Sequence, residues 1–445
     1  MKWVKRIGIG FAALLAILLV LPFFISLNDY IPQIEKEVSA RLKEPVTIKS
    51  LRAAALPLPH VTVDGISVGK TADIMVGKVT VTPDLFSLLS STKVIKSIEI
   101  DGLVLTQKAI DKILVWTKAD PKAPQQPPQV RVESIRLDDA VIKLDKTSFG
   151  PFDARVRLNS KGEPEDASIT TQDGKLKAVI RPDKSNYLID ATANSWKLPV
   201  GPAILFDELA IKGIATLNDA SFSQVSAKLY GGTVNGKASV GWQKGLQLKG
   251  NFDVNQVELM QMVPLLSPGT KVSGRLNAKP VLSAKAANAG QLANALRLET
   301  PFNVHSGVLY GVDIQKAATN LITKESKGGE TRFDELSGHL VMERGAYHFT
   351  QVKIASGALA ADGNVNVSSG KELSGRLNAQ VKAVGASVPL NVSGTLDSPL
   401  LFPTGASIAG AAVGTAILGP GLGTSVGAKV GNWTEGLFGK KAEKK

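Results

Sequence analysis

Gly423-Thr-Ser425-Val-Gly427 has the G-x-S-x-G spacing of a nucleophile elbow, in which a strained strand-to-helix turn presents a serine hydroxyl to an acyl group. No strand pattern precedes it, and it stands in a glycine-rich stretch, so the match reads as chance. His60, His305, His339 and His348 are scattered along the chain. His339 and His348 have no companions at metal-ligand spacing and are expected on a strand surface or in a turn. The chain has no cysteine, which excludes disulfides, thiolate nucleophiles and cysteine zinc sites. No phosphate-binding loop and no dinucleotide fingerprint occurs, and no two carboxylates are spaced for acid–base work. The expectation is no enzyme, no catalytic residue, no metal and no cofactor.

The chemistry left is the sheltering of apolar matter. In ELSGRLNAQVKAVG (372–385), Leu377, Ala379, Val381 and Ala383 alternate with Arg376, Asn378, Gln380 and Lys382. Period-2 alternation marks a strand with one dry and one wet face. The hexapeptide SGRLNA recurs at 273–278, adding Leu276 and Ala278. The same pattern places Leu176, Ala178 and Ile180 on a dry face, then Leu246, Leu248, Phe252 and Val254, Val365 and Val367, and Leu390 and Val392. These are the candidate lining residues of an apolar groove. Each acyl methylene sheltered there gains about 0.8 kcal/mol. A packed sandwich core is the commoner fate of such a face, and periodicity alone favours it.

The elements that must carry this face are mostly antiparallel strands. Asp64-Gly65, Asp101-Gly102, Asp173-Gly174, Asn235-Gly236 and Asp362-Gly363 are expected as turns between them. Helices are expected at 29–42 and, as short pieces, at 83–90, 256–266, 289–297 and 312–324. Residues 206–254 resemble 333–381 in four successive segments. FDELAIKG parallels FDELSGHL, SFSQV parallels HFTQV and VNGKASV parallels ADGNVNV, all 127 residues apart. LKGNFDV then matches LSGRLNAQV, two residues out of step. A weaker echo links KSIEIDG (96–102) to ESIRLDD (133–139). Repeated sheet units of this kind stack into long bodies.

Ile7–Leu27 is uncharged and about 32 Å long as a helix, close to the thickness of a bilayer's hydrocarbon. Lys2, Lys5 and Arg6 precede it and Asp29 follows, so the positive-inside rule leaves a small cytoplasmic tail and exports the rest. A cleaved signal peptide is the rival, but the run is too long and no A-x-A-like site follows. The net charge of +13 has no run of basic residues with interleaved aromatics, so no nucleic-acid partner is expected. A mildly basic surface is compatible with anionic lipid and equally with a merely solvated polar face. Near the end, Gly419, Gly423, Gly427 and Gly431 recur every fourth residue. They offer either a smooth helical face for close packing or a flexible tail.

Three stretches in this order resemble the AsmA-like family of Gram-negative envelope proteins. The first is the apolar run followed by VSARLKEPVTIKSLRAAALPLPHVTVDGISVG (38–69). The second is VTVTPDLFSLLSSTKVIKSIEIDGLVLT (79–106). The third is LETPFNVHSGVLYGVDIQKA (298–317) with FDELSGHLVMERGAYHFTQVKIASGALAADGNVNVSSGKELSGRLNAQV (333–381). The resemblance implies a mostly β protein: a single transmembrane helix, then an elongated, bent antiparallel sheet that forms an open groove, with few helices. It implies an inner-membrane anchor, a periplasmic body, and phospholipid or another acyl lipid as partner. The roles it implies are phospholipid transport, outer-membrane assembly and protein targeting to that membrane. The alternative is an envelope scaffold that carries no lipid and contacts outer-membrane proteins. The expected organisation is a cytoplasmic tail (1–6), anchor (7–27), N-terminal β region (28–117) and Pro/Gln-rich loop (118–129). A central β-groove region (130–299), a C-terminal β region (300–403) and a glycine-rich tail with a basic end (404–445) follow.

Overall fold

The computed structural model describes residues 27–404, apart from 57, 111–129, 144–147, 185, 200–201, 217, 244, 288–290, 293, 320–327 and 383–385. The expected anchor 7–27 (Leu27 aside), the loop 118–129 and the four tail glycines lie outside the described residues. No helix among those described is long and apolar enough to cross a membrane. Strands dominate, and nearly all their pairings are antiparallel. The chain divides into two compact units. One runs to Val200 and includes Ile214–Leu217; the other comprises Gly201–Gly213 and the chain from Asn218 onward. The expected boundary at 299/300 falls inside a single strand, Arg297–Tyr310.

The first unit opens with a 3-10 turn, Leu27–Tyr30, and the helix α1, Ile31–Leu42, as expected at 29–42. Then come β1 (Val46–Ala54), β2 (His60–Val68), β3 (Ile74–Pro83) and β4 (Lys93–Thr106) as an antiparallel meander. The short β5 (Val130–Val132) and β6 (Ser134–Lys143) both lie parallel to β4. The echo read at 96–102 and 133–139 is this parallel pair: Ile98 faces Ile135 and Ile100 faces Leu137. The meander resumes through β7 (Ser148–Leu158), β8 (Pro164–Thr171), β9 (Leu176–Asp183) and β10 (Asn186–Lys197). Helix α1 covers the free edge of β1. The backbone N–H groups of Val46, Ile48 and Leu51 donate to the side chains of Ser39, Glu35 and Asn28 at 3.0, 2.7 and 2.9 Å. An exposed edge that would template pairing with another chain is thereby satisfied.

The second unit contains β11 (Leu205–Ala215) up to Gly213, β12 (Asp219–Leu229), β13 (Gly232–Gly241) and β14 (Leu246–Glu258). The helix α2 (Leu259–Leu266), β15 (Val272–Ala278), β16 (Val281–Ala286) and β17 (Arg297–Tyr310) follow. After the helix α3 (Ile314–Thr319) come β18 (Glu330–Glu343), β19 (Ala346–Ala355), β20 (Leu359–Val367), β21 (Leu373–Val381), β22 (Ala386–Thr395) and β23 (Ser398–Pro403). The duplication read from the sequence is structural. Strands β12, β13 and β14 begin 127 residues before β19, β20 and β21. The register slip between Phe222 and Val225 recurs between Phe349 and Val352, the same distance on.

Several local expectations fail, for physical reasons. Of the five Asp/Asn-Gly pairs, only Asp173-Gly174 turns the chain. Gly65, Gly102, Gly236 and Gly363 lie inside strands. Gly65 and Gly102 have φ of 64° and 67°, a left-handed state open to glycine at little cost. Gly236 faces Phe252 directly, as Gly338 faces Phe302 and Gly307 faces Phe333. A methyl group at any of these three would press on the opposing ring. These glycines serve bends and ring packing, not hairpins. The helices expected at 83–90 and 256–266 shrink to a 3-10 turn, Phe86–Leu89, and to α2. The one at 312–324 is α3, its last residues outside the described set. Described residues of 289–297 form turns and the start of β17.

Candidate functional site

In the first unit, registers of successive strands compose two unbroken apolar rows. One runs Leu51, Val63, Val79, Ile100, Leu137, Ala154, Ile169, Ala178, Ala191. The other, two residues along each strand, runs Ala53, Val61, Val81, Ile98, Ile135, Val156, Ala167, Ile180, Ile189. Directly opposed residues project from the same face, with Cβ atoms about 5 Å apart. Between these rows, on the opposite face, run Arg52, Thr62, Thr80, Glu99, Arg136, Arg155 and Ser168. Each row crosses nine strands, which at ~4.8 Å per strand is roughly 38 Å. A single leaflet's acyl layer is about 15 Å deep, so a row has length for more than one acyl chain.

The rows are not a closed core. Apart from Leu51 and Ala154, every member is half-buried. A compact cluster joins Ala140, Phe152 and Ala154, with Leu103, Leu137, Ile142, Phe149 and Ile169 against it. At this cluster the apolar pattern slips by one residue. Val61 and Val63 give way to Ile66 and Val68, Ile98 and Ile100 to Leu103 and Leu105, and Ile135 and Leu137 to Ala140 and Ile142. The slip falls on one line across the sheet. Gly65, Gly77 and Gly102 lie side by side, and Asp139 follows on β6 with φ of 56°. On β6, Leu137, Ala140 and Ile142 join the same cluster. The left-handed residue therefore holds both halves of the strand on one face.

In the second unit the two copies of the repeat differ in what covers them. Helix α3 buries Ile314, Ala317 and Ala318 among β18, β21, β22 and β23. Beneath it Val352, Ile354, Leu359, Ala361, Leu377, Ala379, Val381, Val388 and Leu390 form one sealed core. In the first copy, Val225, Val234, Val240 and Val254, which correspond to Val352, Ala361, Val367 and Val381, remain half-buried.

The sixteen groove candidates divide along these lines. Val367, Leu377, Ala379, Val381, Leu390 and Val392 are buried; in this structure they are core and present no surface to a ligand. Leu176, Ala178 and Ile180 stand half-buried on the first unit's face, the latter two within its rows. Leu246, Leu248, Phe252 and Val254 are half-buried on β14. Leu276, Ala278 and Val365 are also half-buried, with Leu276 and Val365 packed against the sealed core. Alternation missed most of the row members on β1 to β8. Their signal was present as short apolar pairs, but the slip at the Gly65–Asp139 line breaks a strict period of 2.

The polar groups form solvated networks. Ser50 Oγ donates to Asp64 Oδ2 at 2.8 Å, and the Arg52 guanidinium pairs with the same carboxylate. The Ser50 hydrogen bond first, and Arg52 with it, holds the Asp64 carboxyl below its usual range. Glu299 is likewise held low, by Arg297 first and His339 second. Arg297 bridges Glu299 and Glu343 at 3.2 and 2.6 Å, all on the surface. His60 Nδ1 lies 2.7 Å from the Leu58 carbonyl and His348 Nδ1 lies 2.9 Å from Asn366 Oδ1. Among the described residues no three metal-ligating side chains converge.

No family model matches this chain, and no curated protein matches it. The functional reading therefore rests on the geometry above and on the sequence.

Proposed function

We propose that this is a membrane-anchored envelope protein that shelters lipid acyl chains along the apolar rows of its first unit, within an elongated, bent trough. In this reading Ile7–Leu27 holds the chain in the inner membrane and the body stands in the periplasm. There it supports phospholipid movement and outer-membrane assembly. The observation that carries the reading is the pair of nine-strand rows whose side chains stay half-exposed. A face that long and that apolar is unusual on a soluble surface unless something apolar meets it. If the trough covers about half of each methylene, a chain of fifteen gains roughly 6 kcal/mol over water. The same chain fully buried in a bilayer would gain about 12 kcal/mol. The trough thus shelters a lipid in transit without trapping it.

The test is mass spectrometry of lipid bound to the body, residues 28–404, purified without the apolar run. The reading expects phospholipid on the wild-type body and its loss in Ile98→Asp and Ile135→Asp variants that keep the β-sheet circular dichroism. A body that carries no lipid yet crosslinks to outer-membrane polypeptides would replace this reading with a scaffold. Hydrolysis of a lipid ester by the full chain, lost in Ser425→Ala, would replace it with an enzyme.

A further inference from the structure

One end of the first unit's sheet carries apolar side chains that the fold leaves in water. The β1–β2 connection presents Leu56 and Leu58, and the β3–β4 connection presents Phe86 and Leu89, exposed to 90% and 96%. Strand β3 runs parallel to β1, so both connections leave the same end of the sheet. The row through Ala53, Val61 and Val81 ends beside them.

Two further observations identify what meets this end. The first is where the chain enters. The hydrogen bonds that tie Ser39, Glu35 and Asn28 to Val46, Ile48 and Leu51 run in opposite orders along the 3-10 turn with α1 and along β1. Helix α1 is therefore antiparallel to β1. Leu27, the last residue of the apolar run 7–27, lies at the end that bears the exposed leucines. The second is how the β3–β4 connection is built. Its polar groups bond inward: the Phe86 N–H donates to Asp84 Oδ1 at 2.9 Å and the Ser87 hydroxyl to the Asp84 carbonyl at 2.7 Å. The Ser90 hydroxyl donates to the Ser87 carbonyl at 2.7 Å, and the Val94 N–H to Ser87 Oγ at 2.8 Å. A loop can enter hydrocarbon only when its backbone groups are satisfied internally. Leu85–Thr92 has no charged residue.

We infer that the Phe86–Leu89 turn, with Leu56 and Leu58, dips into the leaflet that faces the body, so that the rim of the apolar rows touches the same bilayer that holds residues 7–27. This inference rests on the reading of 7–27 as a membrane anchor and adds a second, independent contact. It gives an acyl chain a continuous apolar path from the leaflet onto the Ala53–Ile189 row.

The native chain has no cysteine, so single labels are clean. The full chain is reconstituted in phosphatidylethanolamine/phosphatidylglycerol vesicles with an environment-sensitive fluorophore at Leu89→Cys. Parallel labels are placed at Ile17→Cys, in the apolar run, and at Lys70→Cys, in the β2–β3 turn at the opposite end of the sheet. The expected result is a blue shift and loss of emission with doxyl-labelled lipid at residues 89 and 17, and neither at residue 70. Quenching at 17 without quenching at 89 overturns this inference and leaves the anchor standing. No quenching at 17 or 89 overturns both. Equal quenching at 89 and 70 overturns the oriented insertion.

Discussion

Leu137 and Ala140 stand three residues apart on β6 and still meet in one apolar cluster, because Asp139 between them takes a left-handed conformation with φ of 56°. Gly102, Gly77 and Gly65 continue this line across β4, β3 and β2. An ordinary strand would send residues three apart to opposite faces. The line lets one face stay apolar along the whole strand despite a broken period.

Alanine at Gly65 or Gly102 is therefore expected to destabilise the protein by about 1–2 kcal/mol, the penalty of a left-handed side chain. Gly65→Ala is the worse of the two, because its methyl would lie 2.8 Å from Lys49 Cβ, whereas at Gly102 the nearest atom is 3.7 Å away. Asp139→Gly relieves the same penalty and raises stability by up to about 1 kcal/mol. Denaturant midpoints of the three variants check the order.

The sealed and open faces are expected to respond differently to truncation. Ile314 is 1% exposed beneath α3, and Ile314→Ala should cost about 2–5 kcal/mol. Ile180 is half-buried on its row, and Ile180→Ala should cost less than about 1.5 kcal/mol. Equal losses at the two sites would mean that the rows are as closed as the core.

Asp64 gives a pH signature. Its carboxyl is held low in the folded protein, while the unfolded value is about 3.9. Its contribution is present above the unfolded value and is lost as pH falls through the folded one. Asp64→Asn should therefore be less stable than the wild type at neutral pH, with the gap closing as pH drops below about 4. Unfolding midpoints at neutral and acidic pH measure the gap.

Binding on the rows is expected to depend on the chemistry of the face and not on the individual residue. Ile98→Leu and Val81→Ile should keep bound lipid, while Ile98→Asp should lose it. Quantitative lipid mass spectrometry on the purified variants separates these outcomes.

Much of the strand content was legible because polar and apolar residues alternate cleanly in segments such as 373–381 and 246–254. The duplication was legible because Phe222 and Phe349 keep their places in the same bulge. Two things were hidden. Aspartate-glycine pairs look alike in a hairpin and inside a bent strand, and only the register across β2, β3 and β4 separates them. Burial of the second copy depends on α3, a six-residue helix. Its Ile314, Ala317 and Ala318 carry too short a pattern to announce a cap over Leu377 and Leu390.

The most direct measurement is photo-crosslinking in growing cells from p-benzoylphenylalanine placed at Ile135, on the apolar face, and at Arg136, its neighbour on the wet face. The account predicts a phospholipid-mass adduct at 135 and none at 136. Adducts to polypeptide alone at 135, or lipid adducts of equal yield at both positions, would contradict it.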